Sequence, residues 1–162
     1  MKGLVVSMAI IAVTVALTLA PPTSTANAQP CVGINVRIDT LIVNPGDNVL
    51  VPVYIEDVTG WGVMGFDMEI CWCDLPVGLL EFEYCQIGDV MTNSGWGDPV
   101  CGPCGGNCIT IAGAGTGPLV GEGVLFYLKF AVSTNAKPCM CCDLTFTHIN
   151  LYDPEDPLDV CW

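Results

Sequence analysis

Apolar side chains return at every second position through most of this 162-residue chain, in short runs cut off by Gly, Pro, Asn and Asp. A period of two places successive side chains on opposite faces of an extended backbone, so each run reads as a half-buried β-strand. Val124, Phe126, Leu128, Phe130 and Val132 make the clearest run. Upstream, Val32, Ile34, Val36 and Ile38 form one apolar row, and Val49, Val51, Val53 and Ile55 form a second. A third, Met64, Phe66, Met68, Ile70 and Trp72, belongs to a strand over Val63–Trp72, with Asp67, Glu69 and Cys71 on its other side. The turn Asn44-Pro45-Gly46-Asp47 joins the first two strands. Pro52 cannot donate to a ladder, so the second strand is expected to have an open edge. Shorter strands are expected over Leu79–Tyr84, Gln86–Met91, Cys108–Gly113 and Leu144–Ile149. Asn93–Asn107, rich in Gly, Pro and Cys, reads as a long stapled loop. Ala114–Gly123 reads as a connection, Ala136–Cys142 as a turn region, and Asp153–Leu158 as a proline-acid tail. No stretch sustains a helical period. Eight or nine short strands with turns between them predict an all-β fold, an antiparallel β-sandwich.

The first residues follow a different logic. Met1-Lys2 supplies a positive start, Leu4–Ala20 an apolar run, Pro21-Pro22 a break and Ala26-Asn27-Ala28 a small-x-small cleavage site. These features predict a secretory signal peptide over residues 1–28 and a single secreted, extracellular domain over 29–162. The run lies at the lower edge of what crosses a bilayer, and the break with its cleavage site favours removal over anchoring. No membrane contact is expected after cleavage.

Eleven cysteines follow the leader: Cys31, Cys71, Cys73, Cys85, Cys101, Cys104, Cys108, Cys139, Cys141, Cys142 and Cys161. In an oxidising compartment such a density reads as a disulfide framework. The odd count leaves at least one cysteine free, joined to another chain or bound to something else. Cys141 and Cys142 are too close along the backbone to bond each other without strain, so they are expected to staple two different partners. Formal net charge is −13, and loss of Lys2 leaves Arg37, Lys129 and Lys137 against 17 acidic residues. Nucleic acid is thereby excluded as a partner, because phosphate binding needs clustered Lys and Arg. The acidic surplus reads as a solubility device.

Candidate chemistry is sparse. Cys101-Gly102-Pro103-Cys104 copies a redox box, but that chemistry needs a strand-to-helix context and here glycine-rich sequence surrounds it, so structural disulfides are expected. Cys101, Cys104 and Cys108 have a spacing that suits zinc, which export disfavours. His148 falls in phase with Leu144 and Phe146 and reads as a half-buried strand residue. Asp153, Glu155, Asp156 and Asp159 are the one weak candidate for calcium; they lack a glycine-turned loop and read as a solvated charge run. Trp61, Trp72, Trp96 and Trp162 are candidates for a sugar-binding platform, which keeps polysaccharide in view as a partner. No nucleophile is paired with a base by any recognisable pattern, so neither an enzyme nor a bound cofactor is expected.

Four motifs in succession resemble a cohesin domain: Pro45-Gly46-Asp47 before Val49-Leu50-Val51-Pro52-Val53, then Gly65-Phe66-Asp67-Met68-Glu69-Ile70, Gly88-Asp89-Val90, and Gly121-Glu122-Gly123-Val124-Leu125-Phe126-Tyr127-Leu128-Lys129-Phe130. The likeness spans nearly the whole of residues 29–162 and implies a jelly-roll topology. It also implies a non-catalytic module that holds a protein partner, of dockerin type, on one sheet face. Departures are the cysteine content and Cys71-Trp72-Cys73-Asp74, where such domains commonly have an aromatic-Asp-Pro corner. The partner-contacting residues are not assigned by the resemblance. Two other readings stand beside it: a subunit of an extracellular filament or coat that self-assembles by strand addition or disulfides, and a carbohydrate-binding module.

Overall fold

The computed structural model describes residues 33–73, 78–137, 140–154 and 160–161, the last two by their backbone. The leader expected over residues 1–28 lies outside the described residues. Nine strands and one short helix follow in order: β1 (Ile34–Ile38), β2 (Asn48–Ile55), β3 (Gly65–Trp72), β4 (Leu80–Ile87), α1 (Asp89–Asn93), β5 (Val100–Gly105), β6 (Cys108–Ala114), β7 (Gly123–Val132), β8 (Leu144–Tyr152) and β9 (Val160–Cys161). They form a five-stranded sheet, β4-β7-β2-β1-β9, and a four-stranded sheet, β5-β6-β3-β8. Every connection except β1–β2 and β5–β6 crosses from one sheet to the other, as expected of a β-sandwich.

The alternating rows meet between the sheets. Val51, Val53, Leu128 and Phe130 come from one sheet, and Phe66, Met68, Ile70, Ile109, Ile111, Ile149 and Leu151 from the other, all buried. Phe66 stacks on Phe126 at 5.7 Å between centroids, and Trp72, Phe82 and Phe130 form a second aromatic group near the other end. Each such side chain stabilises the fold by about 1.5–3 kcal/mol on burial. No charged or polar residue is buried among those described.

Three expectations are corrected. The strands expected over Leu79–Tyr84 and Gln86–Met91 are one strand, β4, followed by α1. A bulge between Phe82 and Tyr84 shifts the inward phase from Leu80 and Phe82 to Cys85 and Ile87, which disguises the continuity. The loop expected over Asn93–Asn107 contains β5, paired with β6 from Val100↔Ala112 to Gly105↔Cys108, although its sequence has no apolar alternation. β8 runs on to Tyr152, past the expected end at Ile149. The sandwich is antiparallel as expected, with one two-residue addition, β9, which pairs in parallel with β1.

Pro52 sits in a strand that is interior by sheet order, between β7 and β1. The β1 ladder reaches only as far as Val53, so the stretch of β2 before it is unpaired on that side and tolerates a proline. Gly88 closes β4 where no side chain fits. A Cβ there would lie 2.2 Å from the Val124 carbonyl oxygen, and its N–H donates to the Leu125 oxygen at 3.0 Å. This contact gives the Gly88-Asp89-Val90 motif its physical meaning.

Candidate functional site

The outer face of the four-stranded sheet is built from the polar half of the alternation. β3 turns Phe66, Met68 and Ile70 inward, so Asp67 and Glu69 emerge on the opposite side. β8 flanks them with Thr145, Thr147, His148, Asn150 and Tyr152, and β6 contributes Thr110. Beyond β6, Val100 on β5 is 76 % exposed. The result is a broad, mostly polar surface at the centre of which stand two carboxylates.

A bulge decides the composition of this face. Glu69 registers with His148 and Ile70 with Phe146, so Thr147 is extra and the phase of β8 slips by one residue. His148, expected to be half-buried in phase with Leu144 and Phe146, is instead exposed on the outer face. Its side chain is 52 % exposed and Nε2 lies 3.0 Å from Asp67 Oδ2. Asn150 Nδ2 lies 2.8 Å from the same ring nitrogen, and the Tyr152 hydroxyl donates to Asp67 Oδ1. Thr147 Oγ1 donates to Glu69 Oε1 at 2.6 Å. Both carboxylates are thus oriented by hydroxyl donors, with no Lys or Arg in the network.

The other outer face is different in charge. Arg37 lies over the Tyr54 ring at 4.5 Å and pairs with Asp39. Lys129 lies 5.1 Å from the Tyr84 centroid and donates to Glu83 at 3.0 Å, a hydrogen bond that holds its ammonium protonated above the usual lysine range. Two of the three cations downstream of the leader therefore sit on strands of the five-stranded sheet, and their charges are already answered there.

The cysteines divide into bonded and free. Cys71–Cys108 joins register partners of β3 and β6 on the outer face, Cys73–Cys142 ties the end of β3 to the approach of β8, and Cys85–Cys101 bridges β4 and β5 across the two sheets. Cys104 and Cys141 are free and exposed. Cys31 and Cys139 lie outside the described residues, as does the Cys161 side chain. Cys141 therefore does not staple a second partner as expected, although Cys142 does. The redox box is divided, since Cys101 is bonded to Cys85 while Cys104 is free and no helix follows. Zinc at Cys101, Cys104 and Cys108 fails for the same reason, two of those sulfurs being in disulfides. Glu69, Cys71 and Cys108 bring ligand-type atoms within 4.8 Å of one another, but their two sulfurs are bonded to each other and offer no thiolate.

The described tryptophans do not build a platform. Trp96 is buried with its indole N–H donating to the Gly117 oxygen at 2.8 Å, Trp72 packs on Phe82 and Phe130, and Trp61 lies in a turn. Trp162 lies outside the described residues, as do Glu155, Asp156 and Asp159 of the acidic tail. Asp153, the described member of that tail, packs against the backbone at Gly62.

No family model matches this chain, and no curated protein matches it. Solved structures do. The sixth cohesin of scaffoldin B from Acetivibrio cellulolyticus, solved in complex with a Cel5 dockerin, is 22 % identical with a TM-score of 0.67, over 80 % of this chain and 94 % of that one. A non-cellulosomal cohesin from the archaeon Archaeoglobus fulgidus is 24 % identical with a TM-score of 0.61, over 79 % of this chain and 84 % of that one. The OlpA cohesin of Clostridium thermocellum, also solved with a dockerin, is 19 % identical with a TM-score of 0.66, over 79 % and 92 %. The chain has a cohesin-like fold.

Proposed function

We propose that this chain is a non-catalytic module that binds a protein partner of dockerin type through the outer face of its four-stranded sheet. The observation that carries the reading is that face itself: Asp67 and Glu69 pre-oriented by Tyr152 and Thr147, beside exposed Thr145, His148 and Val100. A fold shared with domains that were solved holding dockerins supports the choice of partner. Carboxylates set by hydroxyl donors and an imidazole, with no Lys or Arg beside them, leave room for cationic groups, so the partner is expected to present Lys or Arg together with hydroxyl or amide groups.

Titration calorimetry with a panel of calcium-loaded dockerin modules tests this. At least one is expected to bind. The double change Asp67→Lys and Glu69→Lys is expected to weaken that complex at least about thirtyfold, on the order of 2 kcal/mol for central charged contacts. Glu81→Lys with Gln86→Lys on exposed β4 positions is expected to leave it unchanged. Binding abolished by the β4 changes alone would move the site to the other sheet, and a panel without a single binder would remove dockerins as the partner.

A further inference from the structure

We infer that the end of the sandwich carrying Cys104 and Cys141 is a covalent docking end that joins two copies of this chain by interchain disulfides. The inference is independent of what the sheet face binds.

The fold brings the two thiols to one end from distant parts of the sequence. Cys104 lies at the bulge between Pro103 and Gly105, next to the turn into β6. That turn is fixed to the end of β3: the Trp72 N–H donates to the Asn107 oxygen at 2.9 Å, and Asn107 Nδ2 donates to the Cys73 oxygen at 2.8 Å. Cys73 is bonded to Cys142, whose neighbour is Cys141. Two disulfides, Cys71–Cys108 and Cys73–Cys142, thus frame the end where both free thiols are exposed. Every other cysteine whose side chain is described is bonded. Eleven is odd, so no pairing within one chain uses them all.

Charge favours a second copy as the occupant. The chain carries a net −13, yet residues 100–121, which include the Cys104 hairpin, contain no charged side chain. Beside Cys141 stand Lys137 and Asp143, both exposed and opposite in sign, a pattern that complements itself when two like surfaces meet across a two-fold axis. The Cys104 hairpin thus adds no charge of its own to the contact; of the two β4 carboxylates lining the hollow beside Gly102 and Pro103, Glu83 is answered by Lys129 and Glu81 faces that hollow. Position also decides the product. Linking sites at opposite ends propagate a fibre, whereas sites at one end close on themselves, so these thiols make a dimer and not a filament.

The bond forms by thiol–disulfide exchange with a low-molecular-weight disulfide as oxidant. A thiolate of one copy attacks the small disulfide, forming a mixed disulfide and releasing one small thiol. A thiolate of the second copy then attacks the protein sulfur of that mixed disulfide, forming the interchain bond and releasing the second small thiol. Two protein thiols lose two electrons and two protons, which the two small thiols carry away.

Equal amounts of isotopically light and heavy protein, incubated together with oxidised glutathione, test the inference. Non-reducing electrophoresis is expected to show a dimer that collapses on reduction, and peptide mapping to find mixed light–heavy disulfides that contain Cys104 or Cys141. The double variant Cys104→Ser/Cys141→Ser, which removes no described bond, is expected to lose the dimer while keeping its circular dichroism spectrum. A monomer with both thiols still alkylatable overturns the inference. So does a Cys104–Cys141 bond within one chain, stable glutathione adducts in place of dimer, a ladder beyond dimer, or a double variant that still dimerises.

Discussion

Trp72 and Trp96 are one residue type in two electrostatic situations. Trp96 is buried and its indole N–H is satisfied by the Gly117 oxygen, whereas the Trp72 indole nitrogen is buried with no acceptor among the described residues. An unmade hydrogen bond in the interior costs about 1–3 kcal/mol, which a phenylalanine does not incur. Trp72→Phe is therefore expected to change unfolding free energy by less than about 1 kcal/mol, its smaller ring offset by the loss of the orphan donor. Trp96→Phe is expected to cost more, about 2 kcal/mol, because it removes both volume and a made bond. Urea denaturation of the two variants checks the order, and a Trp72→Phe variant less stable than Trp96→Phe would refute it. At this scale the sequence was readable where packing alone decides. Phe66, Met68 and Ile70 are buried as their spacing implies, but no pattern in the sequence marks which indole finds an acceptor. The surface carboxylates were visible as the polar phase of β3, yet nothing nearby in the sequence connects Asp67 with Tyr152, 85 residues away.

Bulges explain most of what strand-level reading missed. β4 and β8 each contain one, and in each the apolar period breaks at that point, so β4 looked like two segments and His148 looked inward-facing. β5 escaped for a different reason: five of its six residues are Gly, Pro or Cys, and it is held by pairing with β6 and by Cys85–Cys101 instead of by an apolar row of its own. Because β4 and β5 are edge strands of different sheets, that disulfide is the covalent link between two edges with no shared ladder. Its loop of 16 residues predicts a loss of about 3 kcal/mol when Cys85 and Cys101 are both replaced by alanine. Thermal unfolding reads the global cost. Hydrogen exchange is expected to rise first in Val100–Gly105, and unchanged protection there would show that β6 alone secures β5.

For the molecule as a whole, the class of fold was legible because repeated short rows of period two have few solutions other than two facing sheets. The β1–β9 pairing was not, since a two-residue strand carries no period. Long-range charge acts at this scale too. A chain of net −13, with its carboxylates outermost on one broad face, attracts a cationic partner over distances that salt shortens. Association with a dockerin is expected to slow markedly as ionic strength rises to 1 M, where the screening length falls to about 3 Å, with dissociation much less affected. Stopped-flow rates insensitive to salt would show that the face recognises shape alone. The parallel pairing of Ile34 with Val160 has a further consequence. The start of β1 and the finish of β9 therefore lie about one strand width apart, about 4.8 Å, so a segment bounded by Ile34 and Cys161 fits the gap of an opened surface loop. Spliced into a host protein at such a loop, it would sit as a guest without prising the host apart.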